Sequence, residues 1–266
     1  FNMFAKANGI HVRYQLDGPF DAPLVTLSHS LAATHRMWDW QMPVLQDKYR
    51  VLRYDTRGHG ETDAPAGPYE LDLLAADLFA LLDVLKIEST HFVGLSMGGM
   101  IGQAAALKDQ NRFKSLSLCD TSSRVPPQAA SVWEARIRLA ETEGMNSLIE
   151  QTIERWFSLA FEKRAKKDIH KIRNMIRDTP EQGFIGCCHA IAALDLTDKI
   201  DAITLPTLLI VGENDPGTPV EAHEIIRERI SGSQLVVLKD ALHLSNVEQC
   251  DAFNAALLEF LNAQPV

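Results

Sequence analysis

The chain has 266 residues, 46% hydrophobic and 23% charged, which suits an ordinary globular protein whose core needs no covalent staples. Its 26 Lys and Arg against 35 Asp and Glu leave a formal charge of −9, which argues against a nucleic-acid partner, because phosphate binding needs a basic face. No apolar run approaches the ~18–20 residues of a membrane helix, so no membrane partner is expected.

Taken in chain order, the N-terminal FNMFAKANG lacks a basic stretch followed by an apolar one, so no signal peptide is expected. Met3–Ala7 and Ile10–Leu16 flank Asn8-Gly9, a pair that favours a type I′ hairpin turn. Leu24–Leu27 reads as a short buried strand, Trp38–Asp47 as a helix and Tyr49–Tyr54 as a strand. Across Tyr69–Leu85, leucines recur at steps of three and four, the period of a helix. Thr90–Leu95 (strand), Met97–Leu107 (helix) and Lys114–Cys119 (strand) follow. This alternation predicts βαβ units and a mostly parallel sheet, with the hairpin as an antiparallel edge.

The alternation then stops. From 123 to 197 helical stretches dominate, at Ala129–Glu143, Met145–Leu159 and Arg164–Asp178, and Cys187, Cys188 and His189 fit a packed helix. Strand–helix order resumes with Thr207–Val211, Pro219–Ile230, Gln234–Leu238 and Asn246–Leu261. The organisation predicted is a core of 1–122 and 198–266 with a helical cap insertion at 123–197. The insertion holds 11 basic and 10 acidic residues, a net +1, so the core carries 15 against 25, or −10. A near-neutral lid on an acidic body favours approach of an anionic substrate. The four cysteines, Cys119, Cys187, Cys188 and Cys250, show neither C-x-x-C spacing nor a disulfide framework. No metal site is expected, and a reducing, cytoplasmic setting is.

Chemistry points to VGLSMGG at 93–99. A bare G-x-S-x-G arises by chance in roughly one chain in ten of this length. Here it follows a strand and opens a helix, the setting of a nucleophile elbow. Gly94 and Gly98 would relieve clashes in a sharp turn that exposes the Ser96 hydroxyl beside a helix N-terminus, where negative charge is favoured. A serine needs a base, and the base an orienting carboxylate, in the chain order Ser, acid, His. Of the histidines after the insertion, His223 lies at a helical position. His243 lies in KDALHLSNVE, just after a strand, where α/β sheets place their sites. For the acid, VGENDPGTP offers Asp215, with Glu213 and Asn214 in the same loop, and Asp120 after the strand Lys114–Cys119 is a rival. The backbone N–H groups of Met97 and of Leu31, in SHSLAATHRMW, are candidates for an oxyanion hole; being backbone donors, they tolerate apolar side chains.

RYDTRGHG at 53–60, GLSMGG, GENDPGTP and the late histidine together resemble the α/β-hydrolase family along nearly the whole chain. Within it, APAGPY, TEGM, RWF and MIRDTPEQGF look most like the 3-oxoadipate enol-lactonase group, even inside the insertion. The resemblance implies an α/β-hydrolase fold: a mostly parallel eight-stranded sheet with helices on both faces and a helical cap. It implies Ser96 as nucleophile, His243 as base, Asp215 as its orienter and Trp133 as a pocket residue. Two departures are His29-Ser30, where many relatives carry His-Gly, and Thr62, where a serine is common. Asp55, Arg57 and His59 read as scaffold, since no nucleophile shares their segment. Arg124 and Arg155 are candidates to hold a substrate carboxylate.

The expected activity is hydrolysis of a small lactone or ester through an acyl-enzyme, with no metal or organic cofactor. N-acyl-homoserine lactonase and general carboxylesterase are the alternatives within that chemistry, and a cofactor-free perhydrolase or a non-enzymatic small-molecule receptor outside it. Haloalkane dehalogenase chemistry is disfavoured because Ser96 stands where it needs an aspartate.

Overall fold

Asn8 and Gly9 both take positive φ, 50° and 79°, as a type I′ turn demands, and join β1 (Met3–Ala7) to β2 (Ile10–Asp17). The computed structural model describes residues 3–266. β3 (Leu24–Ser28), β4 (Arg50–Tyr54), β5 (Thr90–Leu95), β6 (Phe113–Cys119), β7 (Thr207–Gly212) and β8 (Gln234–Leu238) complete one sheet. Its order is β1-β2-β4-β3-β5-β6-β7-β8. β1 and β2 are antiparallel, β2 meets β4 antiparallel, and the remaining pairs are parallel, in the mostly parallel arrangement predicted.

The inner strands are apolar on both faces, as strands covered by helices on each side must be. Val51, Val93, Leu95, Leu208 and Ile210 face one core with Trp38 and Phe253. Leu52, Tyr54, Phe92 and Leu209 face the other, which also holds Leu74, Leu78, Leu81 and Ile101. The helices, in order, are α1 (Met42–Leu45), α2 (Leu71–Val84), α3 (Met97–Lys108), α4 (Ala130–Glu143), α5 (Ile149–Trp156), α6 (Leu159–Arg164), α7 (Lys166–Asp178), α8 (Glu181–Ala192), α9 (Val220–Arg229), α10 (Ser245–Glu248) and α11 (Cys250–Asn262). No helix among the described residues is long and apolar enough to cross a membrane.

Three stretches read as single helices are divided. The segment Trp38–Asp47 is a 3₁₀ turn at His35–Trp38 and then α1, because Pro43 has no N–H to continue a helix and fits only a first turn. Met145–Leu159 becomes a 3₁₀ turn and α5, and Ser158 starts α6 by accepting from the Phe161 N–H (3.2 Å). The final helix breaks at Gln249, where the preceding Glu248 carboxylate accepts from the backbone N–H groups of Leu242 and Ser158. Helix α8 had no readable bounds. Gly183, Phe184, Gly186, Cys187, Cys188, Ala190 and Ile191 are buried, and the outward stripe of Glu181, Gln182, Ile185, His189 and Ala192 holds only three polar residues, so its period is weakly marked.

The turn between β5 and α3 is the tightest feature. Ser96 has φ 56° and ψ −115°, a conformation that a residue with a Cβ rarely adopts. A Cβ on Gly98 would lie 2.1 Å from the Ser28 carbonyl oxygen, and one on Gly94 2.3 Å from the Gly98 carbonyl carbon. The end of β3 therefore packs directly on the first turn of α3. Around this edge, neutral imidazoles serve as acceptors. His29 Nε2 accepts from Thr56 N–H (2.9 Å), His59 Nε2 from Ala32 N–H (2.9 Å) and His223 Nε2 from Thr121 N–H (3.0 Å). On β5, the Nδ1 of His91 meets the Ser115 hydroxyl at 2.7 Å.

Burial holds His59 at about 3 and His91 and His223 at about 4, well below the ordinary imidazole value of 6.5. The unfolded chain therefore binds protons that the fold refuses, and stability falls as pH drops from 6.5 toward 4. The expected loss is about 1.4 kcal/mol per pH unit for each such histidine, read from urea unfolding; a profile level from pH 7 to 5 contradicts it. Gly98→Ala should lower stability by about 1–3 kcal/mol. Gly217→Ala, where an added Cβ meets nothing within 4 Å, should leave it unchanged.

Candidate active site

Loops at the carboxyl ends of four strands converge on one point, as parallel sheets arrange their sites. Ser96 follows β5, Asp215 follows β7 and His243 follows β8. His243 Nε2 lies 2.9 Å from Ser96 Oγ, although the two are 147 positions apart. Its Nδ1 lies 2.7 Å from Asp215 Oδ2. Only an Nδ1–H can be shared with a carboxylate, so Nε2 is left with a lone pair aimed at the serine hydroxyl. Ser96 and His243 are each 9% exposed, and Asp215 is 3% exposed.

The loop after β7 explains why Asp215 occupies that place. Its Oδ1 accepts from the N–H groups of Gly217 (3.1 Å) and Thr218 (3.0 Å), and its Oδ2 from the Thr218 hydroxyl (2.8 Å). Burial alone would raise this carboxyl. The His243 charge and hydrogen bond, joined by those from Asp120 and Thr218, outweigh it and hold Asp215 at about 2. Glu213 points elsewhere, accepting from the Asp240 N–H (3.2 Å), and Asn214 is exposed. The rival Asp120 is fully buried behind Asp215, and His223 sits inside the packing.

The loop after β3 carries Leu31, and Met97 opens α3. Among the described residues neither backbone N–H has a hydrogen-bond partner within the protein, and Leu31 lines the same cavity as Ser96. RYDTRGHG is the buttress of that loop. Asp55 Oδ1 accepts from the backbone N–H of His35 and meets its Nδ1, both at 2.8 Å. His59 holds Ala32, whose φ is 62°. Arg57 makes a two-pronged buried pair with Asp77 at 2.7 and 2.8 Å. Thr62 Oγ1 donates to the Asp55 carbonyl (2.7 Å) and accepts from Arg13 N–H (2.9 Å), a role any short hydroxyl can fill. Ser30 lies on the cavity wall.

The segment between β6 and β7 roofs the site. A cavity of about 320 Å³ is lined by Ser96 and His243 below and by Trp133, Arg136, Arg155 and Trp156 from α4 and α5 above. Trp133 lines this cavity half-buried, with the Arg136 guanidinium 4.6 Å over its ring. The Trp156 and His243 ring centres are 6.5 Å apart. Arg136 and Arg155 have no carboxylate partner among the described residues; the one hydrogen bond of Arg155 is to Thr152 Oγ1 at 3.4 Å. Burial, and then the charge of Arg136, lower Arg155 to about 10; burial also lowers Arg136. Arg124 does not reach the cavity and pairs instead with Asp195 at 3.4 Å on the surface. Arg136 escaped the sequence reading, yet it lies one helical turn from Trp133 on the same face, which is the signal that could have found it.

Comparison with known proteins agrees with this architecture. The alpha/beta hydrolase fold family profile matches residues 23–249. A 3-oxoadipate enol-lactonase of Acinetobacter baylyi is 36% identical over 251 residues, covering 94% of this chain and 93% of the relative. The crystal structure of an enol-lactonase from Burkholderia xenovorans LB400 superposes with a TM-score of 0.94 at 38% identity, covering 98% of this chain and 100% of that one. A hydrolase from Pseudomonas aeruginosa PA01 gives 0.94 at 39%, with 98% of each chain covered. With its eight-stranded sheet, its serine turn and these relatives, the chain belongs to the α/β-hydrolase family.

Proposed function

We propose that the protein is a serine hydrolase that opens a lactone, or cleaves a small ester, carrying a carboxylate away from the scissile bond. The observation that carries this reading is the hydrogen-bonded row Ser96–His243–Asp215 at the floor of a cavity whose roof holds two unpaired guanidinium groups. The similarity to enol-lactonases supports the lactone reading. The cavity volume, near the low end for small-molecule sites, suits a compact substrate.

In this reading Ser96 Oγ attacks the carbonyl carbon while His243 Nε2 takes its proton. The Leu31 and Met97 N–H groups hold the oxyanion; each such donor is worth roughly 3–4 kcal/mol. The tetrahedral adduct collapses, the ring C–O bond breaks, and His243 returns the proton to the leaving oxygen. In a lactone that oxygen stays tethered to the acyl group, so one product forms. Water, deprotonated by His243, then attacks the acyl-enzyme, releasing the acid and restoring the Ser96 hydroxyl. Asp215 orients the ring and stabilises the imidazolium without taking its proton. Trp133 and Trp156 supply apolar walls, and Arg136 and Arg155 bind the distal carboxylate by charge-assisted hydrogen bonds. Segment 123–197 acts as a cap on a core of 1–122 and 198–266. Four free cysteines, three of them buried, fit a reducing cytoplasmic setting.

Ser96→Ala should cut turnover by at least about 10⁴-fold in a panel of enol-lactones, acyl-homoserine lactones and p-nitrophenyl esters. A variant that keeps most of its activity removes the mechanism. Arg155→Ala and Arg136→Ala should raise KM by about 10–100-fold for carboxylate-bearing substrates and leave neutral esters little changed. An equal loss on both kinds argues for a packing role instead.

A further inference from the structure

Behind the row of Ser96, His243 and Asp215 lies a second carboxyl that the mechanism above does not use. Asp120 follows β6, is fully buried and has φ 42°. Its Oδ1 accepts from the Gly212 N–H at 2.9 Å, and its Oδ2 meets the Ser245 hydroxyl. One oxygen of Asp120, one of Asp215 and one ring nitrogen of His243 all lie within 4.8 Å of each other. The two carboxyls thus bring an oxygen each to within 4.8 Å, both of them buried. Two ionised carboxylates have no proton to share and repel each other; a pair at this distance keeps one proton unless a cation intervenes. Among the described residues no Lys or Arg pairs with either.

The neighbours decide which carboxyl keeps it. Asp215 faces four donors, namely Gly217 N–H, Thr218 N–H, the Thr218 hydroxyl and His243 Nδ1–H. Asp120 faces two, one on each oxygen. The other titratable groups nearby do not supply charge: burial pushes the Cys119 thiol up, and His223 from α9 is held neutral by burial, with its Nε2 accepting from Thr121 N–H.

Resting on the proposed function above, we infer that Asp120 is a positioning residue that keeps its proton at neutral pH and donates it to Asp215. The protonated acid has two effects. It adds a donor that holds the Asp215 carboxylate against rotation, and it moderates the pull of Asp215 on the His243 proton. Burial first, and then the charge of Asp215, carry the Asp120 carboxyl well above the ordinary carboxylate range, against its two donors.

Two measurements test this. The first does not need turnover. The fold holds a proton on Asp120 that the unfolded chain releases above about pH 4. The unfolding constant of wild type, divided by that of Asp120→Asn, should therefore rise about tenfold per pH unit from pH 5 to 7. A ratio that stays level means Asp120 is ionised in the fold and overturns the proposal. The second reads the pH profile of kcat/KM on the best substrate of the panel. Asp120→Ala removes the donor, so it should lower kcat and move the acidic limb up by about half to one pH unit. Asp120→Asn, whose amide N–H can replace the O–H donor, should restore most of the lost kcat and return the limb. A limb that moves down in Asp120→Asn marks loss of a negative charge near His243, and equal losses in both variants with no limb movement mark a structural role; either result overturns the proposal. Should no substrate in the panel turn over, the proposed function fails and the stability ratio alone decides the protonation of Asp120.

Discussion

The turn at Ser96 is held open by its neighbours on both sides, and the rest of the site depends on that grip. Its φ of 56° with ψ of −115° costs on the order of 1–3 kcal/mol for a residue with a Cβ. The Ser96 N–H donates to the Cys119 carbonyl (2.8 Å) at the end of β6, and the Thr121 hydroxyl donates to the Ser96 carbonyl (2.7 Å). On the other side the Ser28 carbonyl abuts Gly98. β5 lies between β3 and β6 in the sheet, so both adjoining loops clamp the same bend. The result is a hydroxyl aimed into the cavity with an unpaired N–H beside it, ready before any ligand arrives.

Around that bend the fold uses uncharged acceptors for several of its buried backbone N–H groups. Imidazoles at 29, 59 and 223 take backbone N–H groups that loops cannot satisfy with their own carbonyls. Burying them neutral avoids the desolvation of a charge, which in an apolar interior is far more costly than an unshared lone pair. Where charge is buried, it is matched: Arg57 is forked onto Asp77, and Asp215 is surrounded by donors. The two arginines in the cavity roof break this rule. Unmatched cations facing a pocket store an electrostatic preference that an anionic ligand can satisfy.

The helical segment between β6 and β7 therefore does two things at once. It lines the cavity opposite the floor row with Trp133, Trp156 and Phe184, and it brings Arg136 and Arg155 to a protein whose remaining residues carry a net charge of −10. Helix α8 ties it to the core, where the Tyr69 N–H donates to the Gly186 carbonyl (3.2 Å) and Cys187 packs against the Arg57 carbonyl (3.6 Å).

What the sequence determined by itself is what short-range physics controls. Alternation of apolar runs marked the strands, the leucine period marked α2, Asn8-Gly9 marked the hairpin, and glycines on either side of Ser96 marked the bend. The order Ser96, Asp215, His243 pointed to residues that the fold places in one row. What only the tertiary structure decided concerns groups whose surroundings come from distant segments. Among Glu213, Asp215 and Asp120, three similar carboxyls that all touch the segment after β8, the choice rests on which one receives the His243 Nδ1–H. Arg136 rather than Arg124 faces the cavity because α4 turns that side inward, while Arg124 has Asp195 beside it on the surface. Helix α8 carries only Glu181, Gln182 and His189 as polar residues on its outward side, so its period is weakly marked in the sequence. Local pattern tells a backbone how to run; only packing tells a charged side chain which partner it will find.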